Sequence, residues 1–220
     1  MTAGDGAASV RERLDFIGFD AQDRAALQGM RGLIARTIGP ALDRFYRQIT
    51  AHPVTSRFFS GDAHVAGAKR AQTSHWDVIA GAEFDITYVE RVRTIGRTHA
   101  RIGLEPRWYV AGYSLVAQEL IGALIAERRF ASRRRLARDV SALVKAILLD
   151  LEISISVYQE TSDEEVLSKL GTGLASLAQG DLTHRISGTS ERFRQLETDF
   201  NSAATRLEES LSGVTGAALA

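Results

Sequence analysis

The 220-residue chain has no cysteine. That removes disulfides, zinc–thiolate sites, iron–sulfur clusters, thioether-linked cofactors and a thiolate nucleophile together. Net charge is missing too. Lys+Arg and Asp+Glu are each 27, so there is no net basic surface to meet a phosphate backbone, and nucleic acid is not expected as a partner. The opening, MTAGDGAASVRERL, lacks a basic region followed by an apolar run and is no signal peptide. The longest apolar stretches, 110–126 and 146–158, are broken by Gln118 and Glu119 and by Asp150 and Glu152. No membrane span is therefore expected, and the expected location is cytoplasmic. Enzyme signatures are also lacking. There is no G-x-S-x-G elbow and no phosphate-binding G-x-x-x-x-G-K-[ST] loop. Gly171 and Gly173 follow no strand. The chain is expected to be non-catalytic.

What is present is helical periodicity, nearly everywhere, with only Pro40, Pro53 and Pro106 to interrupt it. Residues 1–12 are expected to be loose. Asp20 reads as an N-cap for a helix over 23–38, followed by 42–50 up to His52 and Pro53. Further helices are expected over 66–79, over 83–99, and from Pro106 to 129. Leu136, Val140, Leu143, Val144, Ile147, Leu148, Leu151 and Ile155 mark the wide apolar face of the longest helix. The first 160 residues thus read as all-α.

Composition shifts at 159–165, QETSDEE, which reads as a joint capping the next helix. Beyond it Leu167, Leu170, Leu174 and Leu177 form one heptad seam, interrupted at 178–182. Phe193, Leu196, Phe200, Ala203, Leu207 and Leu211 form a second. Two short helices cannot each hide a seam alone, so a parallel homodimer is expected. The sequence stops in mid-pattern, and an output domain is expected after residue 220.

Five histidines are candidates for chemistry. His52 and His64 fall near helix ends, His184 in a polar connector, and His75 beside Trp76 on a helix. None forms an i, i+3 or i, i+4 pair with another, and no Glu-x-x-His occurs, which counts against a di-iron bundle. The arginines between 128 and 138 read as a solvated corner. His99 differs. It stands late in a helical pattern, before Gly103, Leu104, Glu105 and Pro106, with Trp108 and Tyr109 opening the next helix. So placed, it can project between two helices where a flat cofactor such as heme fits. A lone histidine among apolar residues is more often plain packing, and on spacing alone both readings stand. Tyr46 could be a hydrogen-bond donor, since a phenol stays protonated at neutral pH. It could equally be a tyrosine at the core edge.

Taken together, these residues resemble the sensor globins, the heme domains of globin-coupled sensors of the aerotaxis-transducer type. The likeness runs over about 11–158. It includes RLDFIGFD, the pair Phe45-Tyr46, the helix ending in Ser74-His75-Trp76, and above all H-x-R-I-G-L-x-P-x-W-Y across 99–109. Tyr46 stands 53 residues before His99, close to that family's spacing. The resemblance implies a globin fold over 13–160 and one heme b per protomer, with His99 as proximal iron ligand. It implies Tyr46 as distal donor to bound O2 (also CO or NO) and Tyr109 behind the proximal imidazole. Phe45, Ile95 and Trp108 would line the pocket or its rim. Where some relatives carry a distal threonine this chain has Ala71, leaving Gln72 or Thr73 as substitutes.

Residues 161–215 are similar to a HAMP signalling module of soluble methyl-accepting chemotaxis proteins. The markers are LAQGDL over 177–182 and Asp199-Phe200-Asn201, with Leu182 and Ile186 as the implied connector residues. The resemblance implies a gas-sensing input, dimeric through the helices at 106–129 and 136–158 and the HAMP segment. It would drive a downstream signalling domain and a chemotaxis kinase complex in aerotaxis. The alternatives are the same sensor driving a diguanylate cyclase or histidine kinase, and a heme-free dimeric helical scaffold.

Overall fold

Capping chemistry sets several helix boundaries in this computed structural model, whose backbone is described over residues 3–218 and side chains over 10–211. Helix α1 (Ala3–Phe16) begins inside the stretch expected to be loose, and its Val10 and Leu14 are buried. Residues 1 and 2 lie outside the described residues. Gly18, at φ 61°, turns the chain into α2 (Ala21–Gly29). Asp20 caps α2 as expected: its side chain accepts from the Gln22 and Asp23 amides, and Asp23 returns the bond.

The helix expected over 23–38 divides at Met30, and α3 (Arg31–Ala51) then runs straight through Pro40. Proline removes one intrahelical bond, here on an exposed face where water can take the orphaned Arg36 carbonyl. The short α4 (Pro53–Ser56) precedes α5 (Asp62–Gly81), α6 (Ile86–Arg101) and α7 (Pro106–Glu127). Helix α8 (Arg133–Ala178) continues through the acidic stretch at 159–165. That stretch holds no glycine or proline, and Glu and Gln are good helix formers. A single 3-10 turn (Glu191–Phe193) and α9 (Arg194–Ala218) complete an all-α chain, without strands among the described residues.

The chain divides into two compact units, Met1–Tyr158 and Gln159–Ala220. In the first, α3 packs on α5 and α7, α1 on α6, and α2 on α5. Leu27, Ile34, Leu42, Ile79, Tyr88, Leu120, Leu124 and Leu143 form its fully buried centre. Each such side chain contributes about 1.5–3 kcal/mol by leaving water. Lys145 pins α8 to the α1–α2 turn through Asp23 at 2.6 Å and the Gly18 carbonyl at 2.7 Å.

By length and composition alone, α7 could cross a membrane. Within this fold its face at Tyr109, Gly112, Val116, Leu120 and Leu124 is buried, and Glu119 pairs with Arg44 of α3. These are the contacts of a bundle helix.

The second unit holds the end of α8, the connector and α9. Gly180, at φ 87°, follows the helix. Asn201 bonds both the amide and the carbonyl of Ile186, each at 2.9 Å, and Ile186 is buried, whereas Leu182 is only half-buried. Gly173 lets the Phe200 ring lie against α8, since a Cβ there would come within 2.5 Å of the ring. Only part of the expected seam is covered. Phe200 is buried, with Ala204 rather than Ala203, while Leu167, Leu174, Leu196, Leu207 and Leu211 are exposed.

Candidate functional site

Helix α6 carries His99. Its N-terminus is capped by Asp85, which accepts from the Tyr88 amide at 2.9 Å. Tyr88, Val89, Val92 and Gly96 form the buried stripe. At Gly96 the helix touches α8 so closely that a Cβ would stand 2.9 Å from Val157 and 3.1 Å from the Ser154 carbonyl.

The end of α6 accounts for the sequence that follows His99. Gly103 adopts φ 69°, the left-handed conformation that ends helices. The Gly103 amide bonds the Ala100 carbonyl at 3.0 Å, and the Leu104 amide bonds the His99 carbonyl at 2.9 Å. That pair of bonds is a Schellman motif, and His99 is the residue whose carbonyl closes it. Pro106 then takes the first position of α7, where its missing N–H is no loss. The spacing from His99 to Tyr109 is thus a helix stop followed by a helix start.

His99 stacks on Tyr109, ring centroids 5.1 Å apart and 22° between planes. Tyr109 in turn meets Tyr158 of α8 at 6.3 Å. The His99 ring is half-buried, and its Nδ1 is fully buried without a hydrogen-bond partner. Burial pushes the imidazole down to about 4, so it is neutral at pH 7. The Tyr109 hydroxyl is likewise buried without a partner, and burial raises its phenol above the ordinary range.

Tyr46 lies on α3, buried between Phe45 at 4.9 Å and Phe59 at 5.8 Å, both edge-to-face. Burial raises its phenol, so it remains a donor at any physiological pH. Phe45 fills the space beside Gly112 of α7, where a Cβ would stand 2.8 Å from its ring. Trp108 is half-buried and packs on the exposed His52 at 4.8 Å. Ile95, one turn before His99, is half-buried. On α5 the substitutes for the threonine separate. Thr73 is exposed and bonds its own helix at Lys69, whereas Gln72 has its amide oxygen buried and unpartnered.

The residues therefore form two groups, Tyr46 with Phe45 and Phe59, and His99 with Tyr109 and Tyr158. Sequence reasoning missed Phe59 and favoured plain packing over a pocket-facing role for His75. His75 meets Asp150, a residue first read only as a break in an apolar run.

Among the described residues no group of three His, Cys, Asp or Glu could hold a metal ion. A metal at His99 would therefore have at most two such protein ligands and need the rest from a cofactor. The residues fit such a group. A neutral imidazole is the ligating form, and buried unpartnered atoms on Gln72, His99 and Tyr109 each cost about 1–3 kcal/mol until something satisfies them.

Residues 6–164 match the protoglobin family. The chain belongs to that family. Over 212 residues it is 25% identical to the heme-based aerotactic transducer HemAT of Halobacterium salinarum, an alignment covering 90% of this chain and 43% of that protein. The chain thus spans less than half the length of that relative. The globin fold is also evident from solved structures. The globin domain of the Geobacter sulfurreducens globin-coupled sensor superposes with a TM-score of 0.62 at 20% identity, covering 67% of this chain and 96% of that one. The ferrous globin domain of E. coli DosC gives 0.52 at 18% identity, covering 68% and 99%.

Proposed function

We propose that this protoglobin is the heme-based gas-sensing input of a signal transducer. The observation that carries the reading is His99, a neutral imidazole whose buried Nδ1 has no hydrogen-bond partner, held by the helix stop at Gly103 and stacked on Tyr109. Heme, when bound, supplies an iron with one position open to a diatomic gas such as O2, CO or NO. His99 offers the protein's ligand to that iron. Tyr109 fixes the plane of the imidazole, and such contacts tune a metal site. Tyr46 offers a phenolic O–H toward the partial negative charge of the gas. Phe45 and Phe59 hold that phenol in an apolar setting where a hydrogen bond is strong. Gln72 supplies a second polar group on α5.

The proposed output is aerotaxis through a chemoreceptor signalling domain, in a cytoplasmic, non-catalytic homodimer. The similarity to HemAT over 90% of the chain supports this, because it extends past the protoglobin match into the second unit. The Asn201 clamp on Ile186 and the Phe200–Gly173 contact support a HAMP-type relay there. A ligand shifts such a relay only by its differential affinity for two states, typically about 1–3 kcal/mol.

Hemin titration tests the reading. The purified chain should take up one equivalent and give a Soret band that moves on adding oxygen or carbon monoxide to the reduced protein. His99→Ala should lose most of the heme. Tyr46→Phe should keep it and release oxygen roughly ten- to hundredfold faster, the effect of deleting one strong donor. A chain that takes up no hemin would sink the proposal.

A further inference from the structure

Asp150 has no solvent exposure, and its carboxylate is met from three helices. His75 Nε2 of α5 stands 2.9 Å from both carboxylate oxygens. The Tyr88 hydroxyl of α6 donates to Oδ1 at 2.6 Å, and the Tyr113 hydroxyl of α7 donates to Oδ2. Burial works to raise the carboxyl, but His75 and the two phenols outweigh it and hold it below the usual carboxylate range. An ionised carboxylate can only accept, so His75 carries a proton on Nε2. The surroundings reinforce the geometry. His75 and Tyr88 stack with 8° between planes, and Trp76 lies 6.4 Å from Tyr113.

The three donor helices also carry part of the candidate site. Gln72 lies one turn before His75 on α5, His99 lies on the same helix as Tyr88, and Tyr109 lies one turn before Tyr113 on α7. We propose that Asp150 is a positioning residue of the gas site, a buried anion to which the helices bearing Gln72, His99 and Tyr109 are all tied. This rests on the heme reading above. A displacement of α6 is resisted at the same carboxylate that holds α5 and α7, so these three helices adjust together. A buried charge is not needed for stability alone, because apolar replacements are often as stable. Its three charge-assisted bonds instead fix distances and directions.

The test uses the full chain with Asp150→Asn, which keeps the volume and removes the charge, and Tyr88→Phe, which removes one hydroxyl. Hydrogen exchange, measured without added heme and resolved by helix, should rise roughly tenfold around His75 and around Tyr88 in Asp150→Asn, with α2 and α3 unchanged. In Tyr88→Phe the rise should be smaller and centred on α6. In the heme-loaded, reduced protein both variants should change the oxygen release rate several-fold with Tyr46 intact. A uniform rise across all helices of the first unit would overturn the proposal, leaving Asp150 as a general stabiliser. So would a local rise with unaltered oxygen release. A parent chain that takes up no hemin sinks the heme reading and the site role with it, while the exchange pattern still reports whether the helices are tied. If Asp150→Asn does not fold, Tyr88→Phe carries both measurements.

Discussion

His99 keeps its imidazole neutral by burial, and that choice has a thermodynamic signature. Its folded value is about 4 against an ordinary 6.5. Between those values the unfolded chain binds a proton that the folded chain refuses. The heme-free protein should therefore lose stability as pH falls from about 6.5 to about 4, by about 3 kcal/mol in full. Asp150 is shifted downward, so its contribution is present above the ordinary carboxylate value of 3.8 and is lost only below it. The two windows do not overlap. Urea unfolding at a series of pH values should show the slope in the parent and a flatter one in His99→Leu. An unchanged slope would assign it to another group. His99 and Tyr109 could be singled out in the sequence because one short spacing carries both, and Tyr46 by its separation of 53 residues from His99. Asp150 could not be, since its donors stand 75, 62 and 37 residues away. The one available signal was its register, on the same face of α8 as the buried Leu143, Ala146, Ile147 and Val157.

At the scale of helices, starts and stops were easier to read than continuations. Asp20, Pro106 and the glycine after Ile102 act as their chemistry dictates. Two of the misreadings came where a breaker failed to break, at Pro40, and where a polar run did not stop a helix, at 159–165. Solvent exposure decides the first case and helix propensity the second, and neither is written in the periodicity. Gly103 offers a clean measurement. A Cβ there would meet nothing within 4 Å, so Gly103→Ala costs only the left-handed backbone, about 1–2 kcal/mol. The expected outcome is a lower melting temperature with faster loss of heme, because the affected turn includes His99. Faster exchange confined to other helices would contradict the cap.

On the whole-molecule scale, the exposed leucines of the second unit suit the proposed homodimer. Leu167, Leu174, Leu207 and Leu211 each leave roughly half or more of their surface in water, which a parallel pairing would cover. The full chain should sediment as a dimer, and Leu167→Glu combined with Leu174→Glu should shift it toward monomer while leaving hemin uptake intact. A monomeric parent would remove the dimer from the proposal. The heptad spacing of these residues was visible in the sequence. Their exposure in a single chain was not, because each helix buries part of its seam against the other.

The carboxylate of Asp150 also bears on the order in which the first unit assembles. Placing that anion in the interior before all three donors have arrived leaves a charge stripped of water and poorly paired, a costly intermediate. Helix α8 is thus disfavoured from docking on a partial bundle of α5 and α7, or of α6 and α7, even though each pairing hides apolar surface. Folding routes in which α5, α6 and α7 are in place when α8 docks are therefore the ones this carboxylate favours.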